Sequence, residues 1–266
     1  MSASPNPSRF SLNPAARLAV HHVGDEHEPV IVVDGALIDP TALVDHAVTG
    51  ALFTAAGIGG YPGVRAPAPL DYVETLVRRL DPVLRLNFGL DDVVLARAEC
   101  SFSIVTTPPH SLAPVQRLPH TDTSYPLQFA ILHFLCDGDF GGTGFFRHLA
   151  TGFEKILVDR EADYEAAIAR QLETALPPSG YLGRDLQYHQ MTAAFEAVFD
   201  RVLVYRSCLL HCGLIPPDMP LIANPAKGRL TANIFVNYAQ KIRAPRRCRD
   251  APLITPAPRR SGRLKS

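Results

Sequence analysis

LPHTDTSYPLQFAILHFLCDGDFGGTGFF, residues 118–146, decides how this chain is read. It opens with a histidine and an aspartate two positions apart, His120 and Asp122. An apolar run follows, then Gly141-Gly142, then Phe145-Phe146. Side chains two apart on a strand leave the backbone on the same face. His120 and Asp122 would therefore present an imidazole and a carboxylate to one point, a donor pair that suits Fe(II), Zn(II) or Mn(II). With 10 histidines in 266 residues, chance supplies such a pair about as often as not. The weight rests on its setting.

Outward from this stretch, β-branched and aromatic runs dominate. Residues 30–37, 93–97, 100–106, 127–135, 143–146, 202–206 and 230–238 read as strands. Three helices interrupt them. One starts with Asp39 as cap and Pro40 at the first helical position. The second, 70–80, has apolar residues at 70, 73, 76, 77 and 80. The third covers 161–176, with 164, 167, 168, 172 and 176 on one face. The expected fold is mostly β with flanking helices outside one sheet. The stretch 57–69, GIGGYPGVRAPAP, reads as a Gly/Pro loop. Gly141-Gly142 reads as a tight turn needing positive φ and carries no assigned chemistry.

Composition narrows the partners. Formal charge is zero, so no overall field draws the chain to nucleic acid or anionic membrane. No run approaches the ~18 apolar residues of a membrane span. The first twenty residues lack a signal-peptide apolar core, which makes a cytoplasmic location the expectation. Cys100, Cys136, Cys208, Cys212 and Cys248 are odd in number and form no C-x-x-C, so reduced thiols are expected. Residues 1–8 are expected to be disordered, 9–239 to form one domain with its core from about 93, and 240–266 to be a disordered basic tail. That tail holds nine Lys/Arg against one Asp.

A metal site needs a third ligand, and His211 is the best candidate. It closes the apolar run RVLVYRSCLLH and precedes the Gly/Pro exit CGLIPP, where a β-barrel would expose a ligand at a strand mouth. His133, within ILHFL, reads as a satisfied core or surface histidine.

The order of these motifs resembles the Fe(II)/2-oxoglutarate-dependent oxygenase superfamily, in its prolyl-hydroxylase-like pattern. The residues that carry the resemblance are Pro119-His120-Thr121-Asp122, ILHFLCDGDFGGTGFF (131–146), RVLVYRSCLLHCGLIP (201–216) and GRLTANIFV (228–236). It covers about residues 118–238 and is closest to a branch without an assigned substrate. It implies a double-stranded β-helix core of the jelly-roll or cupin-like kind. It also implies Fe(II) held by His120, Asp122 and His211, with 2-oxoglutarate and O2 at the remaining positions.

Arg229 would then anchor the distal carboxylate of 2-oxoglutarate, since its planar fork pairs bidentately and stays charged when buried. Thr231 would add a hydroxyl beside it, and Asn233, on the same face, would contact cosubstrate or substrate. The interval from His211 to Arg229 is longer than the family's usual one, which places an extra loop near the site's mouth. Tyr125 and Gln128 are candidate pocket-lining residues. Arg65, in the Gly/Pro loop, is a candidate partner for an anionic group of the substrate.

A carboxylate at position 122, where the superfamily's halogenases carry a small residue, points to hydroxylation. The expected substrate is a small molecule or an amino-acid or peptide side chain. Two alternatives stay open. One is a cupin-like metal enzyme without 2-oxoglutarate, a Zn(II) hydrolase or an Fe(II) dioxygenase. The other is a non-catalytic jelly-roll interaction protein acting through its basic tail. Oligomeric state is not legible.

Overall fold

A computed structural model of the chain describes residues 9–57, 59–174, 179–182 and 186–241. The expected disorder of 1–8 and of the tail from 242 lies outside the described residues. In chain order the elements are β1 (Arg17–Val23), β2 (Glu28–Asp34), α1 (Thr41–Thr49), β3 (Thr54–Ala55), β4 (Gly63–Pro67), α2 (Leu70–Phe88) and β5 (Val93–Val105). Then come β6 (Gln128–Phe134), β7 (Gly142–His148), α3 (Glu161–Thr174), β8 (His189–Glu196), β9 (Arg201–Arg206), β10 (His211–Leu214) and β11 (Leu230–Gln240).

The strands form two antiparallel sheets. The larger has eight strands in the order β1-β2-β9-β6-β11-β5-β4-β3, and the smaller has the order β10-β7-β8. This is the mostly β, jelly-roll-like architecture the sequence leads one to expect. Strand alternation builds its layers. Leu230, Ala232, Ile234 and Val236 of β11, with Val202 and Val204 of β9, pack against the helices. The alternate residues Leu203 and Tyr205 face the other way and meet Phe145, Ala193 and Phe195 of the small sheet. The functional cavity opens between the sheets, where polar residues replace this packing.

Helix α2 covers the outer face of the large sheet through Tyr72, Val73, Leu76, Val77, Leu80 and Leu84. It runs past the expected end at residue 80 because the buried stripe continues to Phe88 despite Pro82. Gly89, in the left-handed region at φ +65°, ends it by donating to Arg85 O. Leu70, expected on the buried face, is 84% exposed. The cap position of α1 is Pro40 rather than Asp39, one residue later than expected, while Asp39 still accepts from Ala42 N at 3.2 Å.

Several strands depart from the sequence reading. Residues 93–97 and 100–106 are one strand, since the polar stretch between them faces outward and still pairs with β11. The 57–69 loop contains β4, paired with β5 over Gly63–Pro67. A side chain at Gly63 would lie 2.0 Å from Ile104 O, so this pairing requires glycine there. Strands β1, β8 and β10 were not foreseen. β1 is an exposed edge, β8 alternates without strong apolar character, and β10 is too short to signal itself. Among the described residues no helix is long and apolar enough to cross a membrane.

Candidate metal centre

The buried turn after β9 carries the chain through Cys208, Leu209 and Leu210 into β10, whose first residue is His211. The His120-x-Asp122 segment is stitched to that turn by its backbone. His120 and His211 exchange both amide–carbonyl bonds at 2.9 Å, and Asp122 N donates to Ser207 O at 2.9 Å. His120 thus extends the small sheet beyond β10. The pair lies outside the named strands, with His120 in an isolated bridge and Asp122 in a bend, so the expected strand is not there. The backbone bonds to 211 and 207 are what bring both side chains to one point. The ligand atoms of His120, Asp122 and His211 all lie within 4.8 Å of one another.

The hydrogen bonds of His211 assign its tautomer. Its Nδ1 lies 2.8 Å from Leu209 O, and a carbonyl only accepts, so Nδ1 carries the proton. Nε2 is left with a lone pair, and it faces Asp122 Oδ2 at 3.7 Å. Burial pushes the His211 imidazole down to about 4, so it is neutral at physiological pH. Burial and the neighbouring His211 push His120 to about 4 as well, although its ring opens onto the cavity. Burial pushes the Asp122 carboxyl up, against His120, Ser207 and Arg65, which pull it down; its side chain is 20% exposed. The His211 Nε2 lone pair and the Asp122 oxygen stand 3.7 Å apart, beyond hydrogen-bond reach, a spacing that a shared cation fits. Two imidazoles and one carboxylate are the donor set of a non-haem divalent metal, and the residues present fit such an ion.

The triad lines a cavity of about 560 Å³ between the sheets. Arg229 lines it too, at 4% exposure. Its Nε donates to Phe140 O at 2.9 Å and one Nη2 hydrogen to Gly142 O at 3.1 Å. Among the described residues its Nη1 has no hydrogen-bond partner. Thr231 and Asn233 share the cavity wall. Thr231 is 1% exposed, and Asn233 Nδ2 donates to Ser103 Oγ at 2.8 Å. Arg65 of β4 and Gln128 also line the cavity. The structure does not bring Tyr125 there: it is 41% exposed and its hydroxyl donates to Tyr238 O at 3.0 Å. The reason is that the chain turns away between Asp122 and β6. The loop between β10 and β11 packs Ile215 and Met219 against Val105 beside the cavity.

The sequence places Tyr61 beside Arg65 in a Gly/Pro loop expected to cover the pocket, and gives it no role of its own. Its hydroxyl is buried without a hydrogen-bond partner, and it lines the cavity. Burial pushes the phenol up, against the pull of the Arg229 guanidinium. Tyr61 lies in the bend just before β4, and Arg65 lies within β4. Tyr205 is a second addition, its ring edge-on to His211 at 4.9 Å between centroids. His133 is a satisfied core histidine, bonded to Tyr72 Oη and Asp200 Oδ1 at 2.9 Å each.

Residues 14–236 match the model of a family described as a family of unknown function, DUF6445, and the chain belongs to that family. A comparison with curated proteins finds no match. Among solved structures, the chain is similar to HygX from Streptomyces hygroscopicus with nickel, 2-oxoglutarate and hygromycin B bound. That likeness has 11% identity and a TM-score of 0.45, over 82% of this chain and 85% of the other. It is also similar to an N-substituted L-amino acid dioxygenase from Burkholderia ambifaria AMMD, at 13% identity and a TM-score of 0.33, over 80% of this chain and 82% of the other.

Proposed function

We propose that this chain is an Fe(II)- and 2-oxoglutarate-dependent dioxygenase. It hydroxylates a small molecule or an amino-acid or peptide side chain and releases succinate and carbon dioxide. One observation carries the reading: the donor atoms of His120, Asp122 and His211 converge within 4.8 Å in a cavity that also holds a buried arginine, Arg229.

Fe(II), when bound, supplies the redox chemistry that couples O2 to decarboxylation of 2-oxoglutarate and oxidation of the substrate. The protein's part is to hold and orient. His120 and His211 donate neutral imidazoles, and the Leu209 carbonyl fixes the His211 ring so that Nε2 faces the metal. Asp122 supplies the charge that favours a divalent ion and fills a position that a halide would otherwise take, which supports hydroxylation. Arg229 pairs with the far carboxylate of 2-oxoglutarate, held ready by the Phe140 and Gly142 carbonyls. Thr231 and the unpartnered Tyr61 hydroxyl complete that end of the cavity. The apolar residues Ile215 and Val105 keep water from it.

The test is cosubstrate turnover. Protein supplied with Fe(II), 2-oxoglutarate and O2 should form succinate, and His211→Ala should not. Succinate formed equally by both proteins would remove the reading.

A further inference from the structure

Two guanidinium groups face the cavity, and the cosubstrate accounts for one. Arg229 is tied to two backbone carbonyls at the inner end. Arg65 is different. It sits on β4 in register with Ser103, which is in register with Thr231, so a row of polar residues runs across the sheet from Arg65 towards Arg229. Arg65 follows the Gly59–Gly60 segment that lines the cavity mouth. Its Nε is buried with no hydrogen-bond partner, and the carboxylate near it, Asp122, makes no ion pair with it and is the group a metal would take.

Charge balance points the same way. Among the described residues lining the cavity, the charged side chains are Asp122, Arg65 and Arg229, and an imidazole that ligates a metal is neutral. A divalent ion with these three leaves three positive charges. The 2-oxoglutarate dianion removes two. One remains at Arg65, which is half-buried with its Nε shielded from solvent, and a partly desolvated charge without a counter-charge is costly. A single carboxylate matches both that charge and the planar fork.

We propose that Arg65 binds a carboxylate of the substrate, so that the compound oxidised in this site is itself a small carboxylic acid. This rests on the dioxygenase reading above and assigns the substrate class that reading leaves open.

The test uses the full chain loaded with Zn(II), which does not turn over, and saturated with 2-oxoglutarate. Propionate, benzoate and N-acetylglycine are titrated against their amides, with binding read by ligand-observed NMR and calorimetry. Wild type is expected to bind at least one acid about tenfold or more tightly than its amide. Arg65→Ala should lose that preference and Arg65→Lys retain part of it; the lysine variant also covers the case in which the alanine variant fails to fold. Affinity for 2-oxoglutarate should not change in either. Equal acid binding by wild type and Arg65→Ala, or no acid preferred over its amide by wild type, overturns the proposal. If Arg65→Ala loses 2-oxoglutarate while Arg229→Ala keeps it, Arg65 is the cosubstrate anchor; the inference falls and the dioxygenase reading stands. If wild type binds no 2-oxoglutarate, both fall.

Discussion

His120 and His211 are a directly hydrogen-bonded backbone pair, each amide donating to the other's carbonyl at 2.9 Å. The two imidazoles, far apart along the chain, are therefore set side by side by sheet pairing, with ring centroids 4.6 Å apart. The backbone makes the site, and the side chains occupy it. Removing a ligand should leave the scaffold intact. When metal-free, His120→Ala, at an exposed position, is expected to unfold within about 1 kcal/mol of wild type, and His211→Ala to lose about 1–3 kcal/mol because it strands the buried Leu209 carbonyl. Each should lose more than about 100-fold in Fe(II) or Zn(II) affinity, beyond the effect of losing an outer partner. Chemical denaturation and metal titration read the two quantities separately.

The metal-free protein should weaken in mild acid. His211 is 5% exposed and held at about 4, against about 6.5 in an unfolded chain. His189, 3% exposed, is likewise at about 4. Between those values the unfolded chain binds more protons, so stability rises with pH. The contribution is whole above about pH 6.5 and is lost as pH falls towards 4, at up to about 1.4 kcal/mol per pH unit for each imidazole. Urea unfolding at several pH values in this window measures the slope. Replacing His211 and His189 by Gln should flatten it, and an unchanged slope would count against the burial argument.

The network behind the large sheet carries stability and no chemistry. Tyr72 Oη donates to His133 Nδ1, and His133 Nε2–H donates to Asp200 Oδ1, at 2.9 Å each. Asp200 also accepts from Leu37 N at 3.1 Å and is 5% exposed. Asp200→Ala strands two buried donors, at about 1–3 kcal/mol each. Because Asp200 sits at φ +62°, alanine adds backbone strain, whereas Asn tolerates it better. Denaturation should therefore rank wild type, then Asp200→Asn, then Asp200→Ala, with metal affinity equal in all three.

Gly142→Ala should destabilise although φ there is not the issue. An added Cβ would lie 2.2 Å from Phe195 O, inside the pairing of β7 with β8. Relieving that contact costs about 1–3 kcal/mol. A thermal midpoint within one degree or so of wild type would show that the two strands separate more easily than their pairing implies.

How far the sequence reaches is visible in single residues. The convergence of His120, Asp122 and His211 follows the sequence spacing, but not for the reason the sequence offers: 120 and 122 lie outside the named strands, and His211 opens β10 after a turn instead of closing the run from 201. Gly141 was legible as a turn, at φ +81°, but Gly142 serves close strand approach, which only the fold reveals. Arg229 was placed by motif order, whereas its two carbonyl partners come from a different strand region. The role of Tyr61 was hidden because its loop continues into β4, an outer strand whose glycine and prolines read as a turn. Tyr125 misled for the opposite reason: nearness in sequence to Asp122 does not survive the bend before β6. Short or edge strands such as β10 and β1 take their stability from a partner strand, and a single sequence does not contain that information.

The central claim is one metal, one cosubstrate and four side chains in one cavity. Anaerobic addition of Fe(II) and 2-oxoglutarate, followed by visible absorption, tests it most directly. Wild type should develop a charge-transfer band from the bound pair. His120→Ala and His211→Ala should show none, and Arg229→Ala should require about 10–100 times more 2-oxoglutarate, as expected for losing a charge-assisted pair. No band in wild type, or the same band in all four proteins, would contradict the account.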